Sequence, residues 1–256
     1  MSLIKKKDMF LLEEIVKKNF TSKYKDSVLG IFWTILSPLL MMGLFTIIFS
    51  TLFSGTIDNF ALYFLCGWCI YMFFNYSITS SMNALKGNKT ILQRTPAPKY
   101  IFILGSVISE FLNFLIMIIL LVGVMIVTHA TFYWSMLPMV IFPILSLVLM
   151  LIGLGLILSI VCVYYTDIQH LWMVLSMMFM YGSGIFYPIT IIPEPYRSIL
   201  ILNPLYWAID QFRCVVYYGI VPQWGFIVNF LLLSLIILVM GIIIFIKFEE
   251  KIVIRF

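Results

Sequence analysis

Lys18–Leu40 reads KNFTSKYKDSVLGIFWTILSPLL: a basic stretch that runs straight into an uncharged, apolar one. Lys17, Lys18, Lys23 and Lys25 precede the apolar run that begins near Val28, and cations at that place hold a chain's entry to a membrane on the cytoplasmic side. Just upstream, Met9–Phe20 sets Leu12, Val16 and Phe20 four residues apart, with Leu11 and Ile15 on the adjoining row and Glu13, Glu14, Lys17 and Lys18 opposite. That spacing predicts an amphipathic helix suited to the headgroup layer. The first apolar run is long enough to span and has no small-residue cleavage site after it, so it reads as a permanent span rather than a signal peptide.

The rest of the chain repeats the theme. It is 63% hydrophobic and 11% charged, with a mean hydropathy of +1.10, which places it outside the range of soluble domains and among multi-span membrane proteins. Spans are predicted over 29–53, 61–84, 100–128, 137–163, 171–187 and 225–246. A polar turn, Ser54–Asn59, follows the first, and a basic loop, Leu85–Lys99, follows the second. With six spans and both termini cytoplasmic, 14 of the 16 cations lie inside and only Arg197 and Arg213 lie outside. An odd number would put the tail cations on the wrong side. The net charge of +5 is therefore a topology signal, and no nucleic-acid partner is implied. The expected organisation is an all-α membrane protein with six transmembrane helices: a cytoplasmic amphipathic segment over 1–28, a six-span core over 29–246 and a cytoplasmic tail over 247–256. The segment Pro188–Trp224, broken by Pro193, Pro195 and Pro204, is predicted to hold re-entrant or interfacial helices between spans five and six. Within it Asn203-Pro204 marks a helix start, and Leu205–Tyr218 carries Asp210 and Arg213 three residues apart.

Few side chains are suited to catalysis. His129 and His170 fall on opposite faces of the membrane, and Asp167 and His170 share the turn Tyr164–His170 with no metal-ligand spacing. Gly87-Asn88-Lys89-Thr90 lacks the glycines and the preceding strand of a phosphate loop. No nucleotide-binding motif is present, and no catalytic, cofactor or metal site is assigned. Cys66 and Cys69 have the spacing of a redox pair but sit inside an apolar span, where free cysteine packs as a small hydrophobe. Gly153, Gly155, Gly182 and Gly184 are read as sites of close helix packing.

Glu110 is the one carboxylate placed within a span, roughly 15 Å beyond Lys99 at about 1.5 Å per residue, with Asn113 on the same face. An acid at that depth either serves a water-filled path or makes a structural hydrogen bond between helices. Aromatics are abundant, with 23 Phe, 14 Tyr and 6 Trp. Trp68, Tyr71, Phe74, Tyr181, Phe186 and Tyr187 are candidates for a ring-lined path, although membrane-interface belts use the same residue types.

The run from Tyr24 to Leu40 resembles the permease subunits of ABC type-2 exporters that move lipid-linked O-antigens and wall teichoic acids. The likeness continues through Asn59–Phe74, Pro96–Lys99, Asp167, Tyr187-Pro188, Asn203-Pro204-Leu205 and Phe212-Arg213, in the family's order. Two positions depart from it: Thr166, where the family commonly has Arg, and Ser183-Gly184, where it commonly has Ser/Thr-Pro. The resemblance implies a homodimer in the cytoplasmic membrane, with ATP and Mg bound by separate ATPase subunits. It also implies a lateral opening for the lipid anchor, a central path for the glycan and outer helices closing the exit. Coupling to the ATPase is then expected at Lys86, Lys89, Arg94, Lys99 and Asp167. The rival readings are a drug or peptide exporter of the same superfamily and a membrane-embedded acyltransferase or glycosyltransferase.

Overall fold

Apolar runs of 20 residues or more can satisfy their backbone in a bilayer only by closing helical hydrogen bonds, and the computed structural model is a bundle of such helices. It describes residues 6–25, 28–52, 57–94 and 97–255. Pro96, Lys5 and part of the Ser54–Asn59 turn lie outside the described residues. Helix α1 (Lys6–Ser22) precedes α2 (Phe32–Leu52) and α3 (Phe60–Ala84). A 3-10 turn, Lys86–Asn88, leads into the short α4 (Lys89–Arg94), followed by α5 (Tyr100–Val127). Helix α6 (Ile141–Tyr164) is entered through a second 3-10 turn, Leu137–Val140, and α7 (Ile168–Tyr181) follows a tight turn. The segment between α7 and the last helix holds α8 (Glu194–Ile201) and α9 (Pro204–Arg213), which runs on into a π-helical turn, Cys214–Tyr218. Helix α10 (Trp224–Arg255) ends the chain and continues unbroken through the charged tail. No strand occurs among the described residues.

Five of these stretches are long and apolar enough to cross a membrane: α2, α3, α5, Leu137–Tyr164 and α10. The sixth expected span, α7, has only 14 residues, about 21 Å at 1.5 Å per residue, against a hydrocarbon thickness of about 30 Å. Two glycines end it before the expected boundary near Tyr187. Gly182 closes the last turn, its backbone N–H bonding to the Met178 carbonyl, and Gly184 takes φ +65°, which a side chain would disfavour. Both therefore terminate a helix rather than serve close packing, which corrects the reading from sequence. Gly153 does serve packing: a Cβ there would lie 2.6 Å from the Ile237 carbonyl oxygen, and one at Gly241 would lie 2.5 Å from that of Gly153. Neighbouring backbone cannot yield as a side chain can, so α6 and α10 cross at glycine distance. Gly155 faces the Ser81 side chain of α3.

Helix α3 is the centre of the bundle, touching α2, α5, α6, α7 and α9. The main core gathers around it. A second, smaller core lies at the end of the bundle that carries α4, where Ile15, Leu85, Leu92, Phe102, Ile160 and Phe245 meet from six helices or their ends. That end is called the basic end below. Helix α2 lies at the edge: Ile35, Leu39, Met42, Phe45 and Phe49 pack against the main core, only Pro38 is fully buried, and Leu40, Leu44, Ile47 and Leu52 are exposed.

Candidate functional site

The basic end unites segments that lie far apart in sequence. Lys18 of α1 donates to the Asn88 side-chain oxygen (2.8 Å), and Lys86 donates to the Thr166 hydroxyl in the turn before α7 (3.1 Å). Lys99 lies 3.8 Å from Glu249 near the end of α10. Beneath them, α4 is anchored by Leu92 in the second core, while Lys89, Gln93 and Arg94 remain exposed. Asp167 and His170 are exposed in the neighbouring turn. The five residues expected to couple to an ATPase therefore share one surface, with Lys86 and Lys99 tied into it and Lys89, Arg94 and Asp167 on its outside. Helix α1 is fixed here too. Its apolar row lies on α5, with Ile15 buried against Gly105, where a Cβ would come within 2.6 Å of the isoleucine Cγ2. Glu13, Glu14, Lys17 and Lys18 face outward.

Glu110 has a cation. Lys23, in the turn after α1, lies 3.0 Å from one of its carboxylate oxygens and also 4.4 Å from the centre of the Tyr76 ring. Asn113 donates to the same oxygen (2.9 Å), and Tyr24 donates to Asn113 (2.7 Å) while its hydroxyl lies 2.5 Å from that of Thr34. Burial raises the pKa of the Tyr24 phenol, with the Thr34 bond acting against it. One hydrogen-bonded chain thus links the α1–α2 turn, the start of α2 and α5, and the Lys23 ammonium over the Tyr76 ring adds the edge of α3. Sequence reading found Glu110 and Asn113 but took Lys23 only as a topology cation.

Of the six path candidates, Trp68, Tyr71, Phe74 and Phe186 are buried within the subunit. Trp68 stacks between Phe64 and Tyr71, and Phe186 packs on Phe45, Phe49 and Phe64. Phe74 contacts Trp172 and Phe179. Tyr181 is different: at 59% exposure it stands on the open side of α7, above Phe186, and Tyr187 donates to its carbonyl. The open side of α7 also carries Leu171, Met173, Val174, Met177 and Met178. Lower on α7, toward the basic end, a cleft of about 270 Å³ separates it from α3, lined by amides and hydroxyls together with Met82, Trp172 and Met173. Its α3 wall is Asn75, Thr79 and Asn83, spaced four residues apart in the last third of the helix, which also carries Ser77, Ser80 and Ser81; that spacing is legible in the sequence and was missed.

At the opposite end, Arg213 is 4% exposed and lies over the Tyr63 ring at 3.6 Å. It donates to the carbonyls of Tyr63, Gly184 and Ile185 at 2.7–3.2 Å. Gly67 leaves it room, since a Cβ there would lie 2.7 Å from a guanidinium nitrogen. Asn203 caps α9 and also holds the Gly182 carbonyl and the Ser183 hydroxyl. The segment that holds α8 and α9 is thus pinned to the break that ends α7. The four cysteines are unpaired, with Cys66 and Cys69 fully buried, and no group of three potential metal ligands occurs among the described residues.

Comparison with known proteins gives this geometry a setting. The family model described as ABC-2 type transporter matches residues 11–217, well over half of the chain. The O-antigen export system permease protein RfbA of Klebsiella pneumoniae is 26% identical over 247 residues, covering 94% of this chain and 93% of that one. RfbA of Myxococcus xanthus is 25% identical over 217 residues, with 83% and 82% covered. The polysialic acid transport protein KpsM of Escherichia coli is 23% identical over 244 residues, with 93% of both chains covered.

Proposed function

This chain belongs to the ABC-2 type transporter family, and from that premise we propose that it is the membrane subunit of an ATP-driven exporter of a lipid-linked polysaccharide of the O-antigen or teichoic-acid type. It is a multi-pass membrane permease homologous to O-antigen and polysaccharide exporter permeases. The observation that carries the cargo is that likeness, which extends end to end over more than nine-tenths of both chains. The subunit would work as a homodimer above two ATPase subunits that bind ATP and Mg. In this reading α7 with Gly182–Tyr187 makes a shortened sixth crossing, both termini are cytoplasmic, α8 and α9 dip into the outer leaflet, and the membrane is the cytoplasmic one.

The basic end is then the coupling surface. Exposed Lys89, Arg94 and Asp167 would meet the ATPase, and Leu92 would carry the movement of α4 into the second core, where α1, α5, α6 and α10 also insert. Packed cores shift between discrete arrangements rather than deform smoothly, so a push at α4 would reorient these helices together. The glycan would pass along the open side of α7 at Tyr181 and Tyr187, with the buried rings of Trp68, Tyr71, Phe74 and Phe186 as the stiff wall behind.

Deletion of the gene tests the reading. Loss of surface polysaccharide, with lipid-linked chains accumulating inside, is the expected result. A deletion strain with a full complement of surface glycan that becomes sensitive to one small drug would assign the protein to drug export instead.

A further inference from the structure

The cleft between α3 and α7 is where a membrane protein has least reason to place amides. An amide or hydroxyl in an apolar setting is costly wherever it is left unbonded, so a row of them in a span that the protein does not fully satisfy marks contact with water or a polar ligand. Asn75, Thr79 and Asn83 form such a row, about 12 Å long at 1.5 Å per residue, and Gln169 and Ser176 face it from α7. Much of the row is tied down: Thr79 and Asn83 donate to the α3 carbonyls four residues before them (2.8 and 3.0 Å), Ser176 donates to the Met173 carbonyl (2.9 Å), Gln169 donates to the Asn83 oxygen (2.7 Å), and the Trp172 indole donates to the Asn75 oxygen (3.1 Å). These bonds fix the walls and leave the Asn75 amide hydrogens and the Gln169 amide oxygen without a hydrogen bond among those described. None of the side chains lining the cleft is ionisable. Asp167 and His170 flank Gln169 in the chain, and Lys86 is bonded to Thr166 in the same turn.

We propose that this cleft is a sugar-binding subsite at the start of the translocation path, and that it takes an uncharged glycan. Each sugar hydroxyl both donates and accepts, as amide and hydroxyl side chains do, so a row of them can hold successive residues of a neutral polymer without fixing any one. A polyanion is a poor fit, because no cation lines the walls to replace the water lost from each carboxylate or phosphate. One end of the cleft, at Asn83 and Gln169, lies next to the basic end, where a glycan made in the cytoplasm would enter. This assignment rests on the exporter reading and narrows it.

The test uses the full permease with its ATPase in cells that make the glycan, with benzoylphenylalanine placed at Thr79 and, as a control, at exposed Val239 on α10. Irradiation should give a glycan-bearing adduct, detected by periodate oxidation and hydrazide labelling, from position 79 and not from 239. Asn75→Asp with Asn83→Asp, whose assembly with the ATPase is measured separately, should cut export roughly tenfold, the size expected from one or two lost hydrogen bonds. Composition analysis should find the exported polymer uncharged. Permease-dependent export with no adduct at 79, an adduct to a second copy of the permease alone, or an anionic polymer would each overturn the subsite and leave the exporter reading intact. Surface glycan that does not depend on the permease would remove both.

Discussion

Removing either partner of the Lys23–Glu110 pair should have unequal effects, and the inequality follows from where each sits. The Glu110 side chain is 11% exposed and that of Lys23 is 34% exposed. Lys23→Met would leave a nearly buried carboxylate with only the Asn113 amide. A broken buried pair costs about 3–5 kcal/mol, but a third of the lysine sees solvent, which reduces this to about 2 kcal/mol. Glu110→Gln keeps an oxygen for Asn113 and leaves Lys23 the Tyr76 ring and water, at a cost of about 1 kcal/mol or less. For a chain of this size that corresponds to a fall in Tm of roughly 4–8 °C for Lys23→Met and under about 4 °C for Glu110→Gln. The double variant should fall close to Glu110→Gln alone, because the orphaned charge is then absent. Thermal denaturation of the purified permease, followed by size-exclusion chromatography, reads all three. Additive effects, or a larger loss from Glu110→Gln, would show that the pair is a surface contact and that the network from α1 to α5 does not hold the turn in place.

Three further outcomes are expected. Gly105→Leu should displace α1 from α5, since even a Cβ there would meet Ile15 at 2.6 Å, and cysteine crosslinking between the two helices should fall while the bundle stays folded. Arg213→Lys keeps the charge but cannot reach the carbonyls of Tyr63, Gly184 and Ile185 together; with one or two of them left unpaired, stability should drop by about 1–3 kcal/mol, visible as a lower Tm. Charge reversal at both Lys89 and Arg94 should reduce transport-coupled ATP hydrolysis, and a complex that assembles and turns over normally would remove α4 from the coupling surface.

What the sequence made legible depended on whether a signal was local. Five of the six span positions were, because a run of 20 apolar residues has one stable solution in a bilayer, and the start of α9 was, because Asn203-Pro204 is a cap followed by a residue that suits the first helical position. The end of α7 was half legible: Gly182 and Gly184 were visible, but two glycines in an apolar run fit close packing as well as a helix stop, and only the +65° φ at Gly184 distinguishes them. Arg213 was read beside Asp210 because they share a helix, yet it reaches carbonyls 28 and 150 residues away, which no spacing records. Rings are ambiguous for a related reason. Trp68 and Tyr181 are both aromatics within apolar runs, but one is enclosed by Phe64 and Tyr71 and the other stands open. Composition counts rings and cannot say what lies against their faces. Polar side chains are more informative in this setting, because the bilayer penalises an amide that has no reason to be there. The row Asn75, Thr79 and Asn83 carries that information at helical spacing, and the cleft against α7 is the partner that its presence required.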